Sequence, residues 1–264
     1  MKNPKFKKAA SRFASKEIIA FDLDETLTQS KADLDPEMAS LFCSLLAKKI
    51  VAVVGGGKWL QFQNQLIAHL SCTKTQLENL FLLPNSGGSF YGFRAGRWTA
   101  LYKNPLTRKE KTQIFSGFRQ VFLDFNYLVP LKVSGQVLED CESQITFSAL
   151  GSQASLDQKK AWNTQNPTLR FKLQVILKKY LPNFEIRIGG LTSIDVTKKG
   201  IDKAYGLHQL MKLLQISKDK IVYVGDSFFV GGNDHVIKGI GIDIVKVKNP
   251  EETKFFIQSL ISSL

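Results

Sequence analysis

The sequence predicts an α/β protein: a parallel-sheet core, discontinuous in the chain, interrupted by an inserted α+β unit. Two patterns carry this. Short apolar, β-branched runs alternate with amphipathic helical stretches near both ends of the chain. The middle instead carries strands in hairpin order with helices between them. Composition agrees: 264 residues, 44% hydrophobic and 22% charged, suit a folded globule with a buried core. With 19 Gly, 8 Pro and 3 Cys, a collagen and a disulfide-dense scaffold are excluded. No apolar run reaches the roughly 18–20 residues that span a bilayer, so no membrane partner is expected.

Residues 1–16, MKNPKFKKAASRFASK, are basic, free of acids and lack the apolar segment of a secretory signal. They read as a frayed, solvated lead-in, with a polyanion-binding arm or an organellar presequence as the sharper alternative. IIAFDL then reads as a buried parallel strand ending in acids. Asp35-Pro36 supplies an N-cap and an N1 proline to a helix carrying Met38, Leu41, Phe42, Leu45 and Leu46. IVAVV at 50–54 is a second buried strand, broken by Gly55-Gly56-Gly57, and an amphipathic helix follows from Lys58 to His69.

From Gly87, SFYGFRAGRWTALY predicts a hairpin turning at Ala95-Gly96. A helix over Thr107–Asp124 follows, then strands near Lys132–Leu138 and Gln144–Leu150 and helices near Ser155–Trp162 and Pro167–Tyr180. FEIRIG at 184–189 is a further strand. These place an α+β cap at 88–188 and the core at 1–87 with 189–264. The core resumes with TSIDV, a helix over Gly200–Leu214, strands at 221–227 and 241–247, and a closing helix opened by Asn249-Pro250.

The formal charge is +13, from 36 basic and 23 acidic residues. Such a chain binds nucleic acid or attracts small anions such as phosphate esters. The Lys and Arg are scattered and no zinc-finger, RNA-recognition or helix-turn-helix pattern is legible, so nucleic acid is not the expected partner. Cys43, Cys72 and Cys141 lack metal-ligand spacing and are expected as reduced thiols in a cytoplasmic setting. Trp59 and Trp162 read as core aromatics, with Trp98 alone placed to line a pocket. His69, His208 and His235 carry no ligand spacing.

Four signals carry chemistry. Asp22 and Asp24 follow the first strand in FDLDETLT, two residues apart, so they can project toward the crevice at the strand ends. Gly225-Asp226 ends a later strand and Gly231-Gly232-Asn233-Asp234 comes after it, offering the hard oxygens that Mg²⁺ takes. The glycines at 55–57 can expose backbone N–H groups to a phosphate. Lys203 opens a helix where it can neutralise phosphate and carboxylate together, with Lys198 and Lys199 as rivals for that place. Each signal alone has an ordinary reading in loop capping or turn formation.

Together and in this order they resemble the haloacid dehalogenase superfamily, with its Rossmann-like parallel-sheet core and inserted cap. Within it the chain is similar to the eukaryotic-type phosphomannomutase branch, whose type IIB cap sits between the glycine break and the lysine. The segments that carry this are VVGGGKWLQFQNQL, IRIGGLTSIDVTKKGIDKAYGL and VYVGDSFFVGGNDH. The resemblance implies Asp22 as the nucleophile toward phosphorus, Asp24 as general acid and base, and Lys203 with Gly55 and Gly56 as the phosphate cradle. It implies Mg²⁺ held by Asp22, Asp24 and Asp226, with Asn233 and Asp234 completing the metal shell. Lys31 matches a basic substrate position, Ser193 and Asp195 match substrate-contacting positions, and pairing of two chains through their caps is implied as well.

The departures shape the expected activity. Glu25 stands where the family has glycine, Gly57 or its neighbours stand for a hydroxyl residue, and Ser134, Cys141 and Ser152 stand at or near cap arginine positions. A lost charge-assisted bond costs about 1.5–3 kcal/mol, so two would weaken a second phosphate by roughly two to four decades. Hydrolysis of a small, sugar-like phosphate monoester is therefore expected. The alternative is interconversion of mannose 1-phosphate and mannose 6-phosphate, with Arg119 or Arg170 taking over the clamp.

Overall fold

Residue register in one sheet decides where the chemistry gathers. The computed structural model describes residues 4–264. The first sheet runs in the order β11 (Asp243–Lys246), β10 (Ile221–Gly225), β1 (Ile18–Phe21), β2 (Ile50–Val54), β3 (Leu80–Leu83), β4 (Ser89–Arg94), β5 (Arg97–Lys103). It is parallel as far as β3, and β4 and β5 add antiparallel. Phe21 pairs with Val224 on one side and Val53 on the other. The carboxyl ends of β1, β2 and β10 therefore share one rim, and Asp22, the glycine break and Asp226 all leave the sheet there. An open parallel sheet puts its ligand crevice at that rim.

Alternation along β1 feeds two layers. Ile19 and Phe21 enter a core with Phe42, Phe62 and Phe256, whereas Ile18 and Ala20 enter one with Phe81, Leu207 and Tyr223. The first layer holds α1 (Pro4–Phe13), α2 (Pro36–Leu46), α3 (Trp59–Gln65), α4 (Lys74–Leu77) and α10 (Pro250–Ile261). Asp35 caps α2 by accepting from Met38 N at 3.0 Å, and Asn249 caps α10 by accepting from Glu252 N at 3.1 Å. The cap has an antiparallel sheet ordered β6 (Leu138–Asp140), β7 (Gln144–Ser148), β9 (Ser193–Lys198), β8 (Phe184–Ile188). Phe118 of α5 (Arg108–Asp124) and Leu173 of α7 (Leu169–Tyr180) pack on its Ile145, Phe147, Ile186 and Val196. α6 (Leu156–Gln165) precedes α7, while α8 (Lys203–Leu214) and α9 (Ile237–Ile240) return to the core. Among the described residues no helix is long and apolar enough to cross a membrane.

Several expectations are corrected. The lead-in is not frayed: α1 buries Phe6, Ala10 and Phe13 and packs on α10, an amphipathic pattern hidden by the charge between those residues. The hairpin expected in the cap extends the core sheet instead. A hairpin pattern specifies how two strands pair with each other, not which sheet they join, and β4 adds to β3, a strand that the sequence pattern leaves unmarked. Trp98 accordingly packs on Trp59 and Phe93 rather than lining a pocket. TSIDV, expected in the core, is β9 of the cap sheet, where Ile194 and Val196 are buried. The strand expected at 132–138 is confined to Leu138–Asp140. The change of sheet thus falls after Lys103 and after Lys198, displaced from the expected 88 and 188.

Cys43 and Cys72 are joined by a disulfide between α2 and the loop before α4, so only Cys141 is a thiol. Their separation of 29 residues carries no sequence signal; the crossing of the chain through α3 brings the two Cα atoms to 5.3 Å. The thiol argument for a cytoplasmic setting loses two of its three residues. Opening a loop of that length costs about 3–4 kcal/mol in the chain-entropy account. Cys72→Ser is expected to lower the urea midpoint accordingly; an unmoved midpoint under oxidising conditions would contradict a structural role for this bond.

Candidate active site

At the shared rim, Asp22, Asp226 and Asp234 each bring a carboxylate oxygen within 4.8 Å of the others. Asp22 is fixed by its own N–H on Val224 O at 2.9 Å, which continues the β1–β10 ladder one residue past the strand. Its Oδ1 accepts from Leu23 N and from Lys203 Nζ, both at 2.7 Å, leaving Oδ2 for other partners. Lys203 opens α8 after the Asp202 cap, is 0% exposed, and bridges Asp22 to Asp234 Oδ1 at 2.7 Å. Tyr223 donates to the same Asp234 oxygen at 2.6 Å, and the Asp226 and Ser227 N–H groups donate to Oδ2 at 3.1 and 3.0 Å. Asp234 therefore has four donors on its two oxygens, all that a carboxylate accommodates. Asn233 Oδ1 differs: it is buried and has no hydrogen-bond partner.

Burial, against the opposing Lys203, raises the Asp22 carboxyl well above the usual range, and Asp234 and Asp226 add to it. Burial and then the Asp234 charge push Asp226 up to about 6. For Lys203 burial acts downward, but Asp22 and Asp234 together raise it. One buried ammonium stands among three carboxylates, an arrangement short of positive charge and suited to a cation and a dianionic substrate.

Asp24 faces the cleft beside Asp22 and is tied down by Lys31 N at 2.7 Å, Gln65 Nε2 at 3.0 Å and Gln61 Nε2 at 3.3 Å. The two glutamines sit one turn apart on α3, which the glycine break aims at the rim. Glu25 holds φ +61°, the left-handed region that favours glycine, and its carboxylate accepts from Ser30 N at 3.0 Å. Gly56 is constrained by contact: a Cβ there would lie 2.7 Å from Asp195 Oδ2. Gly55 does not fit its expected role, since its N–H is spent on Leu83 O at 3.2 Å and it backs onto Leu23 and Phe62.

The cap supplies the facing wall. Glu139, Thr146 and Asp195 lie side by side across β6, β7 and β9 and line the cleft with Ser193, Lys31, Lys58 and Cys141. Thr146 Oγ1 donates to Asp195 Oδ1 at 2.9 Å, and burial pushes that acid up to about 6. Burial likewise holds the Cys141 thiol at about 12. Gln144 Nε2 donates to Gly56 O at 2.7 Å, joining cap to core. Among the described residues no arginine lines the cleft. Arg170 is turned onto Gly189 O, Gly190 O and Asn163 Oδ1, and Arg119 lies beside Phe122 and Tyr127. Neither lines the cleft, where the mutase alternative would have one of them act as the clamp.

Of the residues expected at the site, Asp22, Asp24, Lys31, Gly56, Ser193, Asp195, Asp226 and Asn233 line one cleft, with Lys203 and Asp234 directly behind it. Tyr223, Gln61, Gln65, Glu139 and Thr146 were missed. Tyr223 carried a faint signal, a hydroxyl inside the otherwise apolar IVYVG; the paired glutamines carried one in their i, i+4 spacing.

Known proteins share this plan. A family model described as eukaryotic phosphomannomutase matches residues 38–263. A probable phosphomannomutase of Caenorhabditis elegans is 27% identical over 263 residues, covering 95% of this chain and 98% of its own. Phosphomannomutase 1 of Homo sapiens is 25% identical, covering 92% of each. Among solved structures, an N-terminally truncated IMP-nucleotidase of Plasmodium falciparum superposes with a TM-score of 0.73 at 20% identity, over 99% of this chain and 74% of that one. A trehalose-6-phosphate phosphatase of Aspergillus fumigatus gives 0.55 at 15% identity, over 99% and 98%. At these identities the two structures establish the fold alone, that of haloacid dehalogenase enzymes.

Proposed function

The chain belongs to the eukaryotic phosphomannomutase family, and from that premise we propose that it moves phosphoryl groups on a phosphosugar by way of Asp22. The observation that carries the reading is the Asp22–Lys203–Asp234 chain of contacts at the strand rim. Asp22 Oδ2 attacks phosphorus, the ester P–O bond breaks, and Asp24 gives a proton to the departing oxygen. In the second half Asp24 takes a proton from the acceptor hydroxyl, whose oxygen attacks phosphorus as the Asp22–phosphorus bond breaks. Gln61, Gln65 and Lys31 N keep Asp24 in place through both. The Gly56 and Gly57 amides remain for the phosphoryl oxygens, and Lys203 holds Asp22 Oδ1 so that Oδ2 faces the substrate.

Mg²⁺ fits the donors present: Asp22, Asp226, the Asp24 carbonyl and the partnerless Asn233 Oδ1 would hold it. When bound it supplies charge neutralisation of the phosphoryl oxygens. Asp234, with its four donors, is assigned to positioning Lys203 and the 226–227 backbone rather than to ligation. The cap, from beyond Lys103 to Lys198, closes over the sugar.

Water as acceptor is a second reading, supported by the absence of arginine from the described cleft lining. Phosphorus NMR with mannose 1-phosphate, Mg²⁺ and a hexose bisphosphate separates the two. The family reading expects the 6-phosphate to outgrow inorganic phosphate, and the opposite order supports hydrolysis. If neither grows above an enzyme-free control, with this substrate or a panel of sugar phosphates, the proposal fails.

A further inference from the structure

Two half-buried cysteines close a ring around the glycine loop. The stretch between Cys43 and Cys72 holds β2, the glycine break and α3. α3 carries both glutamines that hold Asp24: Gln65 Nε2 reaches its Oδ1 at 3.0 Å and Gln61 Nε2 its Oδ2 at 3.3 Å. With 7 residues it is a marginal helix, and Lys58 at its N-cap gives the first turn no side-chain bond. Phe62 and Leu66 anchor it in the core, and Trp59 stacks on Tyr91 with ring centres 3.9 Å apart. Beyond it a single turn over Ile67–His69 leads to Cys72, whose bond ties the far end to α2. α2 is the firmer element, with 11 residues and Asp35 as its cap.

The bond is also open to attack. Cys43 lies on the wall of a cavity of about 410 Å³, together with Pro36, His69, Ser71 and Gln76. Gln76 Nε2 donates to Cys43 O at 3.0 Å, and His69 Nε2 faces Asp33 Oδ1 at 3.6 Å. Such a volume admits a small thiol, and it puts on the same wall an imidazole able to take up and return a proton. A disulfide reached by solvent exchanges with thiolates more readily than an enclosed one. Cys141 stands in contrast, buried with its thiol held at about 12.

We propose that Cys43–Cys72 is a thiol–disulfide exchange site, opened by a dithiol reductant, that sets how firmly α3 holds Asp24. The reductant's first thiol gives its proton to His69, and its sulfur attacks Cys43 Sγ. The Cys43–Cys72 bond breaks and its electron pair leaves on Cys72 Sγ, which takes a proton. The reductant's second sulfur, losing its proton, attacks the first, and Cys43 departs and is protonated in turn. Two protein sulfurs are thereby reduced and two reductant sulfurs oxidised to a disulfide. Once open, the pair no longer ties the end of α3 to α2, and Gln61 and Gln65 lose their register on Asp24. The effect on turnover rests on the phosphoryl-transfer reading of Asp24; the exchange chemistry stands apart from it.

Dithiothreitol is the probe. Folded protein is treated with it in the absence of denaturant, thiols are trapped with N-ethylmaleimide, and peptide masses locate the labels. Labels at Cys43 and Cys72 are expected, and His69→Gln should slow their appearance by about threefold or more. Amide hydrogen exchange then follows the opened protein, with residues 59–66 expected to speed up roughly tenfold relative to 250–261. Turnover should fall about tenfold with KM little changed, as for a displaced proton donor. Oxidised glutathione reverses both changes in the parent, whereas Cys43→Ser combined with Cys72→Ser stays in the opened state throughout. A bond that opens only in denaturant, or whose loss speeds exchange equally in α3 and α10, is a structural staple, and either result overturns the proposal. Should the oxidised enzyme move no phosphoryl group, the reaction falls instead, and the labelling and exchange measurements still decide whether the site is a switch.

Discussion

Asp22→Asn protein, assayed for sugar-phosphate conversion and phosphate release, is expected to fall by roughly 10⁴-fold or more, because an amide oxygen neither carries the charge nor forms the acyl phosphate. A structural residue lost from a buried cluster would reduce stability along with activity. Here the two should part. Asp22 is desolvated and faces Asp226 and Asp234, and its carboxyl is raised well above the normal range, so removing its charge relieves repulsion. Lys203 keeps its bond to Asp234. The variant should therefore melt no lower than the parent in the absence of divalent ions. An active Asp22→Asn enzyme, or one that is inactive only because it unfolds, would remove the basis for phosphoryl transfer through this residue.

Lys203→Met should have the largest effect on folding. The methionine fills much of the same volume, but Asp22 and Asp234 are left buried without their shared ammonium, and breaking a buried pair in this way costs about 3–5 kcal/mol. Urea unfolding reads the loss, and a second substitution, Asp22→Asn, should recover part of it because it removes one of the stranded charges. The pH dependence has a definite sign. The folded-state affinity of Lys203 for its proton exceeds the unfolded one, so its contribution is complete below the unfolded value and disappears only as alkaline pH passes the folded one. A Lys203→Met protein as stable as the parent, and flat beside it at alkaline pH, would show that the bridge contributes nothing.

The core was legible because its signals are local. IIAF, IVAVV and IVYVG are continuous apolar runs, and the residues next along the chain, Asp22, the glycines and Asp226, lie at strand ends by sequence alone. Parallel register then converts three strand ends into one place. Lys203 was legible by its position at the start of a helix. What escaped depends on the third dimension. β4 and β5 could pair with each other in any sheet, and only the exposed edge of β3 decided which. Cys43 and Cys72 have no spacing that marks a bond. Gly55 and Gly56 are indistinguishable in sequence, yet one N–H is spent on Leu83 and the other is free for a ligand. Asp234 reads as a metal ligand because Asp is an oxygen donor, and the four donors that surround its carboxylate come from residues the sequence does not place beside it.

The seam between sheet and helix near residue 200 has a mechanical corollary. β9 belongs to the cap, yet Lys203 lies just beyond it, with only Lys199–Asp202 between. Asp202 caps α8 at Tyr205 N and also meets Arg187 of β8 at 3.6 Å. This short tether joins the cap sheet to the ammonium that bonds Asp22. The length of that strap is therefore expected to bear on two things at once, the seating of the cap and the hold on Asp22.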